Sequence, residues 1–169
     1  MKSDKALVRA TNRKGTKDKK TTRGEARTGR LREPSACERC GAVLWRRVWR
    51  RGSGVTDALL SRAIWTLCPA CRQVSSGEYC GRVMIRGRYA SDQEAVIRQR
   101  IANVDTQAQF RQPERRLVSA ERDGAVLEVL TTSQKLAHRI VRELKKAFRG
   151  RARYKWSDDG SLFAVWERD

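Results

Sequence analysis

The sequence predicts an α+β fold in three parts: a disordered basic tail, a four-cysteine ribbon or treble-clef-like module, and a small ββαββ domain. Three observations carry this. Two Cys-x-x-Cys pairs, Cys37/Cys40 and Cys68/Cys71, stand with 27 residues between Cys40 and Cys68. The residues before the first pair hold few large apolar side chains. Residues 114–169 place turn signals on either side of a regular amphipathic helix. A Cys-x-x-Cys knuckle is a tight turn that aims two sulfurs at one centre. Two knuckles supply the four thiolates of a tetrahedral zinc site. Either pair alone could be a redox dithiol, but together in a small basic chain they read as one structural zinc held by Cys37, Cys40, Cys68 and Cys71. Gly41 suits the sharp turn after the first knuckle. Four protein ligands close the coordination shell and leave no position for catalysis. The gap exceeds the usual ribbon spacing, so an elaborated loop between the knuckles is expected.

Composition narrows the partners. The chain has 169 residues, with 38 Lys and Arg against 19 Asp and Glu, a formal charge of +19. Such an excess predicts an anionic partner, and nucleic acid is the default over a membrane surface. Arginine dominates outside the N-terminal tail, and its planar fork suits phosphates and stacks on bases. No apolar run is long enough to cross a bilayer. The N-terminus has no apolar core of a secretory signal, so a cytoplasmic location is expected. Five cysteines, with four of them paired in knuckles, suit metal binding in a reducing compartment rather than a disulfide framework.

Residues 1–36 carry twelve Lys or Arg and four Asp or Glu. Their only large apolar residues are Leu7, Val8 and Leu31, too few to offset the entropy of ordering, and disorder is expected. The segment reads either as an arm that folds along RNA phosphates or as a solubilising tail. Residues 37–90 are assigned to the zinc module. Within it, Trp45-Arg46-Arg47-Val48-Trp49-Arg50-Arg51 alternates tryptophans with arginines. On a helix or on a single strand, Trp45 and Trp49 share a face. Trp45, Arg46, Arg47, Arg50 and Arg51 are therefore candidate RNA contacts, although Trp49 serves equally well as core. Residues 55–65 read as a short amphipathic helix capped by Thr56. Val83 to Ile85 read as a strand bounded by glycines and belonging to the zinc module. Cys80 reads as a small buried hydrophobe.

Ser91-Asp92-Gln93-Glu94 has the form of a capping box, and Ile97, Ile101, Val104 and Ala108 follow at helical spacing. This helix, over 91–110, is expected to connect the two halves. From 114 onward, a strand near Leu117 and Val118 leads to the Asp123-Gly124 hairpin signal and a second strand. Thr131-Thr132-Ser133 then offers caps for a helix. That helix has an apolar stripe of Leu136, Ala137, Ile140, Val141, Leu144, Ala147 and Phe148, and a basic opposite face. Gly150 sits where a left-handed cap belongs. Residues 151–156 alternate strictly, with Arg151, Arg153 and Lys155 on one face and Ala152, Tyr154 and Trp156 on the other. Residues 161–166 close a second hairpin. The ββαββ order predicts one helix on one face of a small sheet, with Arg151, Arg153 and Lys155 beside Phe163 and Val165 on the other, a face suited to RNA or simply to solvent. His138, the single histidine, reads as a boundary residue.

Two knuckles, a Gly-rich strand, a helix, Arg122-Asp123-Gly124, then a strand and a helix with Ala137 and Leu144, resemble the N-terminal half of the large-ribosomal-subunit export adaptor family of archaea and eukaryotes. The chain is also similar to bacterial zinc-ribbon proteins that share Thr131-Thr132-Ser133, Leu136-Ala137 and Val165-Trp166-Glu167-Arg168. The likeness covers about residues 35–169 and implies binding to rRNA on the large ribosomal subunit. Together with the charge, it leads to the expectation of a zinc-stabilised, ribosome-associated RNA-binding protein acting in ribosome biogenesis or hibernation. A zinc-dependent DNA-binding regulator is the alternative, although the chain has no helix-turn-helix or Cys2His2 pattern. No phosphate-cradling loop, deaminase signature or nucleophile–base pair is present, so neither an enzyme nor a small-molecule substrate is expected.

Overall fold

The structure, a computed structural model, describes residues 31–169. The basic arm expected over residues 1–36 lies, for residues 1–30, outside them. At its other end the arm is shorter than expected. Ser35 and Ala36 are buried in a strand, β1 (Ser35–Cys37), which pairs with two neighbours.

β2 (Val43–Trp45) and β3 (Val48–Arg50) form a hairpin beside β1. The turn is Arg46 and Arg47, with φ of 51° and 63°, where hairpins of this kind favour Asn-Gly. Because the chain reverses between them, Trp45 pairs with Val48 and Trp49 with Leu44. Cross-strand partners share a face, so Trp45 and Trp49 lie on opposite faces, not on one. The helix expected over 55–65 is only one turn, α1 (Asp57–Leu60), with the Thr56 hydroxyl accepting from Leu59 N–H as its cap. Ile64–Thr66 instead form β4, parallel to β1. Pairing with β1 outweighs the local helical pattern there. The sheet order is β3-β2-β1-β4. A second helix, α2 (Pro69–Ser76), follows.

The remaining elements are β5 (Gly81–Arg86), α3 (Arg88–Asp92), α4 (Glu94–Arg111), β6 (Leu117–Asp123), β7 (Val126–Thr131), α5 (Gln134–Phe148), β8 (Arg151–Trp156) and β9 (Leu162–Glu167). They make a five-stranded sheet, β6-β7-β5-β9-β8. The strand assigned to the zinc module is thus the centre of the second sheet, antiparallel to β7 and parallel to β9. Its side chains suit that place, since Val83, Met84 and Ile85 are all buried. The expected ββαββ unit is present as β6, β7, α5, β8 and β9, with β5 inserted between its two hairpins.

α4 is not an isolated connector. Its Ile97, Ile101, Val104 and Ala108 join Leu136, Ala137, Ile140, Val141 and Leu144 of α5 and the sheet's Val129, Leu162 and Trp166 in one core. Both helices therefore cover one face of the sheet, the two-layer solution expected of an antiparallel α+β unit. The capping box at 91–94 does not form. Ser91 lies in α3, and α4 starts at Glu94, whose carboxylate pairs with Arg98 and Arg122. α5 is capped by the Ser133 hydroxyl, which accepts from Lys135 N–H. Gly81 lets α5 sit close to β5, because a Cβ there would collide with Ala137 and Thr131. The hairpin near Asp123 turns on Gly124, at φ 60°, with Ala125 beside it. Among the described residues, no helix is long and apolar enough to cross a membrane.

Candidate metal centre and basic aromatic surfaces

The two knuckles come from different kinds of backbone. Cys37 ends β1, and the chain turns through Cys40 and Gly41 (φ 70°), with Gly41 N–H donating to the Cys37 carbonyl at 2.8 Å. Cys68 is the N-cap of α2 and Cys71 lies in its first turn, with Pro69 at the start where no N–H is needed. A hairpin knuckle facing a helix N-terminus is the treble-clef-like arrangement expected. All four sulfurs lie within 4.8 Å of one another. The Cys40 and Cys68 sulfurs are 3.8 Å apart. Zinc–sulfur bonds of about 2.3 Å in a tetrahedron place sulfurs about 3.8 Å apart, so the cage has the right size for one ion. None of the cysteines is in a disulfide.

Without an ion the surroundings favour the thiolate at Cys37 and the protonated thiol at Cys68 and Cys71. Cys68 N–H points at the Cys37 sulfur at 3.3 Å and Cys71 N–H at the Cys68 sulfur at 3.4 Å. Burial works against ionisation of Cys37, but the backbone N–H groups of Cys68, Cys40 and Arg39 outweigh it and bring its pKa down to about 6. Burial pushes Cys71 up to about 11, against a hydrogen bond with Cys68 and the Arg116 guanidinium. It pushes Cys68 up as well. An ion bound here displaces those protons and holds together segments 31 residues apart in sequence, Cys37 and Cys68.

Two arginines brace the cage from outside. Arg116, just before β6, donates to the Cys71 sulfur at 3.4 Å. Arg51 donates to the Cys40 carbonyl at 2.8 Å and reaches Gln109 of α4 at 3.4 Å. Sequence reasoning placed Arg51 among RNA contacts, whereas the structure engages it with the knuckle and leaves it half-buried. Arg116 was missed altogether, since its partner lies 45 residues away in sequence. Trp49 and Leu67 pack on the cysteines, so Trp49 belongs to the core of this module. Cys80 stands apart from the four, half-buried, with Gln73 at 4.0 Å.

The other expected contact residues fall on two separate surfaces. Arg46 and Arg47 form the exposed tip of the β2–β3 hairpin, and Trp45 and Arg50 share one face behind it. Arg151, Arg153 and Lys155 are exposed on β8 and share a face with Glu167, Val165 and Phe163. That face is not uniformly basic, because Arg82 pairs with Glu128 and Arg86 with Glu167 there. α2 packs against β6, at the opposite edge of the sheet from β8. Comparison with protein-family models, with curated proteins and with solved structures finds no match.

Proposed function

We propose that this chain is a zinc-stabilised RNA-binding protein that associates with the ribosome, through the large subunit, in assembly or in hibernation. Its function is to bind, not to catalyse. The observation that carries the reading is a closed cluster of four cysteines directly beside an arginine-tipped hairpin, in a chain of +19. Four thiolates in a tetrahedral cage suit zinc among the common divalent ions. The ion would act as a cross-link that holds β1, α2 and the hairpin in place. Arg46, Arg47 and Arg50 then meet phosphates, and Trp45 offers a ring behind them.

Sedimentation of a lysate at low and high salt tests this. The protein is expected to travel with the large subunit or the assembled ribosome at low salt and to leave it at high salt, because phosphate contacts release counterions. A Cys37→Ser, Cys68→Ser variant is expected to stay at the top of the gradient and to lack zinc by elemental analysis. A wild-type protein that stays at the top at low salt overturns ribosome association. Retention on duplex DNA in its place points to a DNA-binding regulator.

A further inference from the structure

β8 is an edge strand, and α5 lies over β5 and β9 and meets β8 only at its margin. The helix-facing side chains of β8 therefore run out from beneath the helix one after another. Ala152 packs on the core, Tyr154 is 39% exposed, and Trp156 is 56% exposed. Beside them α5 carries Lys135, His138, Arg142 and Lys145, all exposed, at spacings that keep them on one face. The His138 ring lies 5.1 Å from the Tyr154 ring, tilted by 40°. Arg142 is near enough for its charge to act on the Tyr154 hydroxyl, against the stronger effect of burial. A shallow groove thus has an aromatic floor of Trp156, Tyr154 and His138 and a cationic wall.

We propose that this groove between α5 and β8 binds single-stranded RNA. Bases stack on Trp156 and Tyr154 while Lys135, Arg142 and Lys145 hold the phosphates. The inference rests on the RNA-binding reading above and names the form of RNA and the side chains that take it. Exposed rings can stack only on bases whose faces are free, which a duplex hides. Cations flank the strand on both sides, since Lys155 and Arg153 project from the other face of β8, and this favours a polyanion over a peptide strand. The outer edge of β8 also turns alternate backbone N–H and C=O groups outward. A ribose 2′-hydroxyl can donate to or accept from such groups, and deoxyribose cannot.

The test is fluorescence anisotropy of a labelled uridine-rich 12-mer RNA titrated with the full, zinc-loaded chain. Tyr154→Leu with Trp156→Leu is expected to weaken binding about tenfold or more, with the salt slope unchanged, because stacking and no charge is lost. Lys135→Gln with Arg142→Gln is expected to lower the slope of log affinity against log salt by about 1.4, for two phosphates on a single strand. Trp65→Leu removes another tryptophan, 58% exposed on β4, and is expected to change nothing. If the wild-type chain binds RNA and both groove variants bind it equally well, the groove is wrong and the RNA-binding reading stands. If the wild-type chain fails to bind RNA at low salt, both fall. Equal affinity for DNA of the same sequence overturns the choice of RNA.

Discussion

Arg46 and Arg47 occupy both central positions of a tight hairpin turn with positive φ, a conformation that costs a branched or long side chain about 1 kcal/mol or more per residue. Asn and Gly would fit without strain, and Arg47 N–H would still reach the Glu33 carboxylate at 2.9 Å. Arg46→Asn with Arg47→Gly is therefore expected to raise the thermal midpoint while weakening RNA binding. A variant that gains stability and keeps its RNA affinity would show that the tip does not touch RNA. Asp105 of α4 makes a different kind of residue-scale compromise. It accepts from Leu117 N–H at 2.8 Å and from Gln109 at 2.6 Å, tying α4 to the start of β6. Burial nonetheless outweighs these bonds and raises its pKa above the usual 3.8. A carboxyl that holds its proton more tightly when folded loses stability as pH rises through that range. Asp105→Asn keeps the bond from Leu117 but gives up the one from Gln109, so its stability relative to the wild type is expected to improve as pH rises past about 4. Denaturant titrations at several pH values check this, and an Asn variant that grows relatively weaker as pH rises refutes it.

At the scale of elements, packing decides what local pattern leaves open. Residues 55–65 have a helical stripe, yet β1 draws Ile64–Thr66 into a parallel strand. The hairpin through Arg46 and Arg47 separates two tryptophans that a continuous element would have kept together. α5 approaches β5 closely at Gly81, where Ala137 and Thr131 leave no room for a methyl group. Gly81→Ala is expected to destabilise the protein by about 1–3 kcal/mol, by forcing the helix off the sheet. Chemical denaturation should show a lower midpoint with an unchanged slope, and an unaffected midpoint would contradict the close fit.

Across the whole molecule, two cores of unequal kind share one chain. The core around the cysteines consists of Cys37, Cys68 and Cys71 with Ala42 and Ala70, and few large apolar side chains support it. The other core joins Val83, Ile85, Ile97, Ile101, Leu136, Ile140, Leu144 and Trp166. Loss of metal is therefore expected to undo the first and spare the second. Hydrogen exchange after chelation should show protection lost over residues 35–76 and kept in β5 and α5. Uniform loss would mean that the cage supports the entire fold. The bond from Arg116 to Cys71 ties the start of β6 to the cage, as Arg51 ties α4 to it through Gln109, so β6 is expected to show an intermediate response.

The sequence by itself determined the elements that depend on neighbours along the chain. Cysteine spacing named the four cysteines that cluster, periodicity named the buried face of α4 and that of α5 as far as Leu144, with Ala147 exposed beyond it, and alternation placed Arg151, Arg153 and Lys155 together. Only the tertiary structure decided that β5 lies at the centre of the second sheet and that β4 joins β1. It also decided that Arg51 braces a knuckle and that Tyr154 and Trp156 extend past the helix. The physical reason is the same in each case. A strand's partners, and whether a ring is covered, depend on groups far away in sequence, and no local pattern of side chains carries that information.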